Sequence, residues 1–149
     1  MKIIYLGDVV GKAGRNAVHG NLEELSRTFS PDFVIINGEN SAHGFGITGK
    51  ICRDFFKAGI DVITLGNHSW DQPDTAQYIA LEPRLLRPLN FPENTPGMGK
   101  GVFKTRKGQK ILVLQVMGQL FMPPVEDLFR SLELALRSVV LGSHVSAIV

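Results

Sequence analysis

Short runs made wholly of apolar, mostly β-branched residues alternate, over roughly the first 80 positions, with longer segments whose apolar residues recur at helical spacing. Residues 3–6, 33–36 and 62–65 are the runs, and their uniform apolarity predicts strands buried on both faces. Between them, residues 14–29 place Val18, Leu22, Leu25 and Phe29 on one helical face. A second helix begins near Thr48, buries Ile51 and Phe55, and stops at Gly59. This pattern predicts an α/β fold, a mainly parallel sheet flanked by helices.

The remainder is less regular. Asp71, Pro73 and Asp74 read as the capped start of a third helix carrying Tyr78, Ile79 and Leu81. Residues 83–101 are rich in proline and turns, and form a long loop around one short strand at 85–89. A hairpin follows, with strands at 102–105 and 111–116 and a turn at Lys107-Gly108. A last helix over 125–141 turns Leu128, Leu132, Ala135 and Val139 inward, and residues 145–149 begin another strand.

A chain of 149 residues can bury about two thirds of its unfolded surface, so one domain over 1–149 is expected. The formal charge is only +2, and Lys and Arg are scattered rather than banded, so a strong nucleic-acid-binding surface is not expected. The densest basic stretch, residues 104–110, reads as a solvated turn. The single cysteine, Cys52, sits in a helical apolar pattern and reads as a buried thiol in a reducing, cytoplasmic setting. No stretch approaches the roughly 20 apolar residues of a membrane span.

Chemistry is concentrated where strands end. Gly7-Asp8-Val9-Val10-Gly11, Asn37-Gly38-Glu39-Asn40 and Gly66-Asn67-His68 each follow a predicted strand at once, about 30 residues apart, the length of one strand-helix-strand unit. Loops at the carboxyl ends of parallel strands share one sheet edge, so the three should meet. Taken singly, an Asp after a strand is a turn former or cap, and Asn-Gly-Glu-Asn is turn chemistry. Together they offer two carboxylates and two carboxamides, hard oxygen donors suited with a nearby imidazole to divalent transition ions.

On that reading Glu39 bridges two ions about 3.5–4 Å apart and a shared water attacks phosphorus. Asp8 and Asn67 are terminal ligands, and Asn40 is a ligand or a hydrogen bonder to phosphate. His68 is the proton donor to the leaving oxygen. His43, in a Gly-rich loop, is open to either a substrate contact or a plain surface position. His19 reads as solvated, and Trp70 as packing that could also line the site.

With these motifs assembled, and with Ala42-His43-Gly44, Trp70-Asp71 and Arg87-Pro88 leading into Asn90-Phe91-Pro92, the sequence resembles the YmdB-like branch of the calcineurin-like metallophosphoesterases. Val10 stands where the wider superfamily has the histidine of Asp-x-His, and Glu39 where it has aspartate. The resemblance implies a four-layered α/β sandwich, a di-iron or manganese centre, and phosphodiesterase activity on 2′,3′-cyclic nucleotides. It also implies further histidines, in Asp-x-His-Ala-Glu and Thr-His-Thr-His segments, which these 149 residues do not contain. The chain accordingly reads as the N-terminal part of such a domain, truncated before its second half. The strands at 112–116 and 145–149 should then be left exposed, and a homo-oligomer is expected. His144, before the last strand, should lie at the opposite sheet edge and replace none of the missing ligands.

Two other readings use the same residues. Gly7, Gly11 and Gly14 could form a phosphate-binding turn of a non-catalytic, Rossmann-like nucleotide-binding domain. Alternatively, the sheet could serve only as an interaction module.

Overall fold

A computed structural model describes all residues, 1–149. Its elements are β1 (Ile3–Leu6), α1 (Gly11–Phe29), β2 (Phe33–Asn37), α2 (Gly49–Ala58), β3 (Val62–Thr64), α3 (Thr75–Ile79), β4 (Leu85–Leu86), β5 (Lys100–Lys104), β6 (Lys110–Leu114), α4 (Leu128–Leu136) and β7 (Ala147–Ile148). Two sheets result. β1-β2-β3-β4 pair in chain order, all parallel. In the second sheet β6 pairs antiparallel with β5 and parallel with β7.

The uniform apolarity of β2 has a specific cause. Val34 and Ile36 point into one core, with Val18 and Leu22 of α1, Cys52 and Phe55 of α2, and Ile79 of α3. Phe33 and Ile35 point the other way, into a second core with Val62, Leu86, and Ile111 and Val113 of β6. The parallel sheet thus has helices on one face and a second sheet on the other, a sandwich of sheets. α4 sits against the second sheet, where Lys100 Nζ donates to the Ala135 carbonyl at 2.9 Å.

Helix ends follow local chemistry where a cap exists. Thr48 Oγ1 accepts from the Ile51 amide at 3.3 Å at the start of α2, and the Gly59 amide closes its end on the Phe55 and Phe56 carbonyls. α1 begins at Gly11, three residues before the predicted start, because Val10 offers no side-chain cap and the helix grows directly out of the Asp8 loop. On its apolar face Val18 and Leu22 are buried, but Leu25 is only half-buried and Phe29 is exposed. α3 is a single short turn, and Leu81 beyond it is exposed. β4 and β7 are two residues each. α4 is shorter than predicted and buries only Ala135; Leu128 and Leu132 are half-buried, and Val139 lies beyond the helix.

The hairpin turn is exposed, as expected, and is also tied to the parallel sheet: Lys107 Nζ pairs with Asp32 Oδ1 at 2.9 Å and Arg106 Nη1 with Asp61 Oδ2 at 3.0 Å. The exposure expected of the strands at 112–116 and 145–149 is corrected in part: Leu112 and Val113 of β6 are buried, as is Val145, since β5, β7 and the parallel sheet surround β6, whereas Ile148 and Val149 are exposed as expected. Further exposed apolar surface lies on Leu120, Phe121, Phe129, Leu134, Val140 and Leu141. His19 is exposed, as expected, with its ring stacked on Phe55 at a centroid distance of 5.4 Å. No helix is long and apolar enough to cross a membrane.

Candidate functional site

Parallel pairing of β1, β2 and β3 brings their carboxyl ends to one edge, and backbone hydrogen bonds sew the following loops together. The Val9 amide donates to the Asn37 carbonyl, Gly11 to Asn40, and Gly38 to Thr64, at 3.3, 2.9 and 3.0 Å. Arg15 of α1 reaches across and donates to the Ser41 carbonyl. Two buried serines, absent from the sequence-derived set, close the turns in the same way. Ser41 Oγ donates to the Gly38 carbonyl at 2.7 Å, and Ser69 Oγ to the Gly66 carbonyl at 2.5 Å. A signal was present, because each serine stands three residues after the glycine of its motif.

Asp8, Glu39 and Asn40 converge. Asn40 Nδ2 donates to Asp8 Oδ2 at 2.7 Å. The Glu39 carboxylate lies directly on Gly66, where any Cβ would overlap its oxygens. Burial, and then the charge of Asp8, push the Glu39 carboxyl above its ordinary value, while His68 pulls it down, so all three groups share one electrostatic environment. Asn67 lies in the adjoining turn, its side chain free of hydrogen bonds to the chain.

His68 is oriented by a residue assigned otherwise from sequence. Its Nδ1 lies 2.6 Å from Asp71 Oδ2 and its ring meets Phe45 edge-on. This contact occupies Nδ1, and Nε2 is left to face a ligand. Asp71 therefore does not cap α3. Neither does Asp74, whose Oδ2 accepts from the Gly49 amide at 2.9 Å, at the start of α2. Trp70 packs on the helix-side core, with its ring 6.1 Å from that of Phe91. Cys52 is fully buried, and burial pushes its thiol far up, which rules it out as a nucleophile.

Two buried oxygens, Glu39 Oε2 and Asn40 Oδ1, have no hydrogen-bond partner in the chain. Buried polar atoms are rarely left so, and each costs about 1–3 kcal/mol. Beside Asp8, with Asn67 adjoining, two unsatisfied hard oxygens fit a divalent cation. The fit is partial: no three His, Cys, Asp or Glu side chains converge as a ligand set. The phosphate-turn alternative fits less well. The Gly11 and Gly14 amides are already engaged by Asn40 and Val10, and the strand order 1-2-3-4 lacks the reversal at which Rossmann-like sheets bind nucleotides.

The chain is similar to known proteins over most of its length. The pattern of the YmdB-like protein family matches residues 4–149. A Bacillus subtilis protein named 2′,3′-cyclic-nucleotide 2′-phosphodiesterase is 44% identical over 129 residues, which are 87% of this chain and 48% of that protein. A Mycoplasma pneumoniae putative phosphatase/phosphodiesterase is 39% identical over 79% of this chain and 43% of its own length. Among solved structures, a hypothetical protein of Thermus thermophilus superposes with a TM-score of 0.87 at 37% identity, over 94% of this chain and 54% of that one. A novel phosphatase of Mycoplasma pneumoniae gives 0.86 at 35% identity, over 94% and 52%. The chain spans about half the length of the curated relatives it matches. By the family match over nearly its whole length, the chain belongs to the YmdB-like protein family.

Proposed function

We propose that these residues form the first half of a metal-dependent phosphodiesterase site acting on 2′,3′-cyclic nucleotides, with iron or manganese as the ions. The observation that carries the reading is the pair of unsatisfied buried oxygens, Glu39 Oε2 and Asn40 Oδ1, beside Asp8. Asp8, Glu39, Asn40 and Asn67 would hold the metal. Bound there, divalent ions supply Lewis acidity at phosphoryl oxygen and a water acidic enough to ionise near neutral pH.

The chain's own groups do the rest. Gly66 lets the Glu39 carboxylate seat against the β3 turn. Asp71 holds His68 by Nδ1, so that Nε2 carries a proton to the leaving ester oxygen as the phosphorus–oxygen bond breaks. The substrate class is taken from the name of the Bacillus subtilis relative. The exposed apolar side chains around α4 support self-association as part of the same reading.

Thermal melts with Mn2+ and with chelator test the site without requiring turnover, with the Glu39→Gln variant as control. Mn2+ is expected to raise the parent Tm and leave the variant unmoved, and the variant in chelator should melt no lower than the parent. Hydrolysis of bis-p-nitrophenyl phosphate by a chain extended to the relatives' length should be chelator-sensitive and lost in Glu39→Ala. Absence of any Mn2+ effect on the parent would sink the metal reading.

A further inference from the structure

More than half of Phe45, 58%, is open to solvent, yet its ring stands beside His68 with centroids 5.1 Å apart and planes at 86°. Scattered exposed apolar residues need no explanation, but this one is held in place. Within its loop the Ala42 amide donates to the Gly46 carbonyl at 2.9 Å, Phe45 to Ala42 at 3.0 Å, and Gly44 to Asn40 at 3.0 Å. Gln72 Nε2 donates to the Phe45 carbonyl at 2.6 Å, fastening the loop to the segment after His68. Gly44 and Gly46 adopt φ of 93° and 74°, and a Cβ at Gly46 would stand 3.0 Å from the His68 carbonyl oxygen, so the loop lies against the His68 turn.

The fold therefore fixes an aromatic ring at the rim of the carboxylate cluster without burying it, an arrangement that contributes little to the core. We infer that Phe45 is a stacking platform for the base of a nucleoside phosphate whose phosphate ester lies at Asp8, Glu39 and His68. The inference rests on the phosphodiesterase reading and extends it from phosphate to base. Stacking on an aromatic face tolerates any base, because every base has a π-face. Recognition here would thus select nucleotides over simple phosphate esters without selecting one nucleotide strictly.

Isothermal titration calorimetry in Mn2+, with adenosine 3′-monophosphate and methyl phosphate as probes, tests this on the parent chain, Phe45→Ala and Phe45→Tyr. The parent should bind the nucleotide more tightly than methyl phosphate. In Phe45→Ala that preference should fall about tenfold, and Phe45→Tyr should restore it. An unchanged preference in Phe45→Ala, or no preference in the parent, overturns the platform while leaving the metal and phosphate reading standing. Failure of the parent to bind either probe overturns both.

Discussion

At the scale of single residues, the contact between Glu39 and Gly66 sets the geometry of the site, because the carboxylate occupies the space that any larger residue at 66 would fill. Gly66→Ala should therefore unseat Glu39 while leaving the fold intact. Overpacking of this kind costs about 1–3 kcal/mol, readable in denaturant melts, and the Mn2+-induced rise in Tm should vanish with it. A parent-like Mn2+ response in the variant would mean that the ion does not depend on this carboxylate. The placement of Asp8, Glu39, Asn40, Asn67 and His68 at one sheet edge was legible in the sequence because each motif follows an apolar run, and the end of a parallel strand is a location that pattern alone specifies. Asp71 was not. Its neighbours Pro73 and Asp74 look like a helix start, and only the turn at 66–71 shows that its carboxylate faces His68.

At the scale of elements, Asp32 joins the two sheets at the end remote from the site. Its side chain, 3% exposed, accepts from the Lys2 amide at 2.8 Å and pairs with Lys107, while its carbonyl accepts from the Arg106 amide at 3.0 Å. Lys107 first, then the Lys2 amide, hold the Asp32 carboxyl below its ordinary value. A lowered folded-state pKa means that the unfolded chain binds the proton more readily. The stabilisation is therefore complete above the usual aspartate range, about pH 4, and lost as pH falls through the lowered value. Asp32→Asn should melt lower than the parent near neutrality, with the difference closing in acid below about pH 4. Parallel melting curves at all pH values would contradict the assignment. The hairpin itself was legible from alternation and its turn residues, but this pairing was not, because Lys107 and Asp32 are distant in sequence.

At the scale of the whole molecule, apolar surface on Phe121, 95% exposed, and on Phe129 and Leu134 of the α4 region has no cover within the chain. Sedimentation at micromolar concentration should show association, and Phe129→Glu with Leu134→Glu should return the chain to monomer; a monomeric parent would remove self-association from the proposal. The strands, the two long helices and the shared edge of the three motifs follow from local information, since periodicity and strand-loop order are properties of neighbouring residues. Which layer covers which face does not. An apolar strand such as β2 requires two partners but cannot name them, and the pattern is equally compatible with helices on both sides. Long-range packing decided that α1, α2 and α3 share one face and the second sheet takes the other. The same packing set Glu39 on Gly66 and Asp71 on His68, because contacts between loops depend on where each strand ends in space, and that is defined only once the sheets have closed on each other.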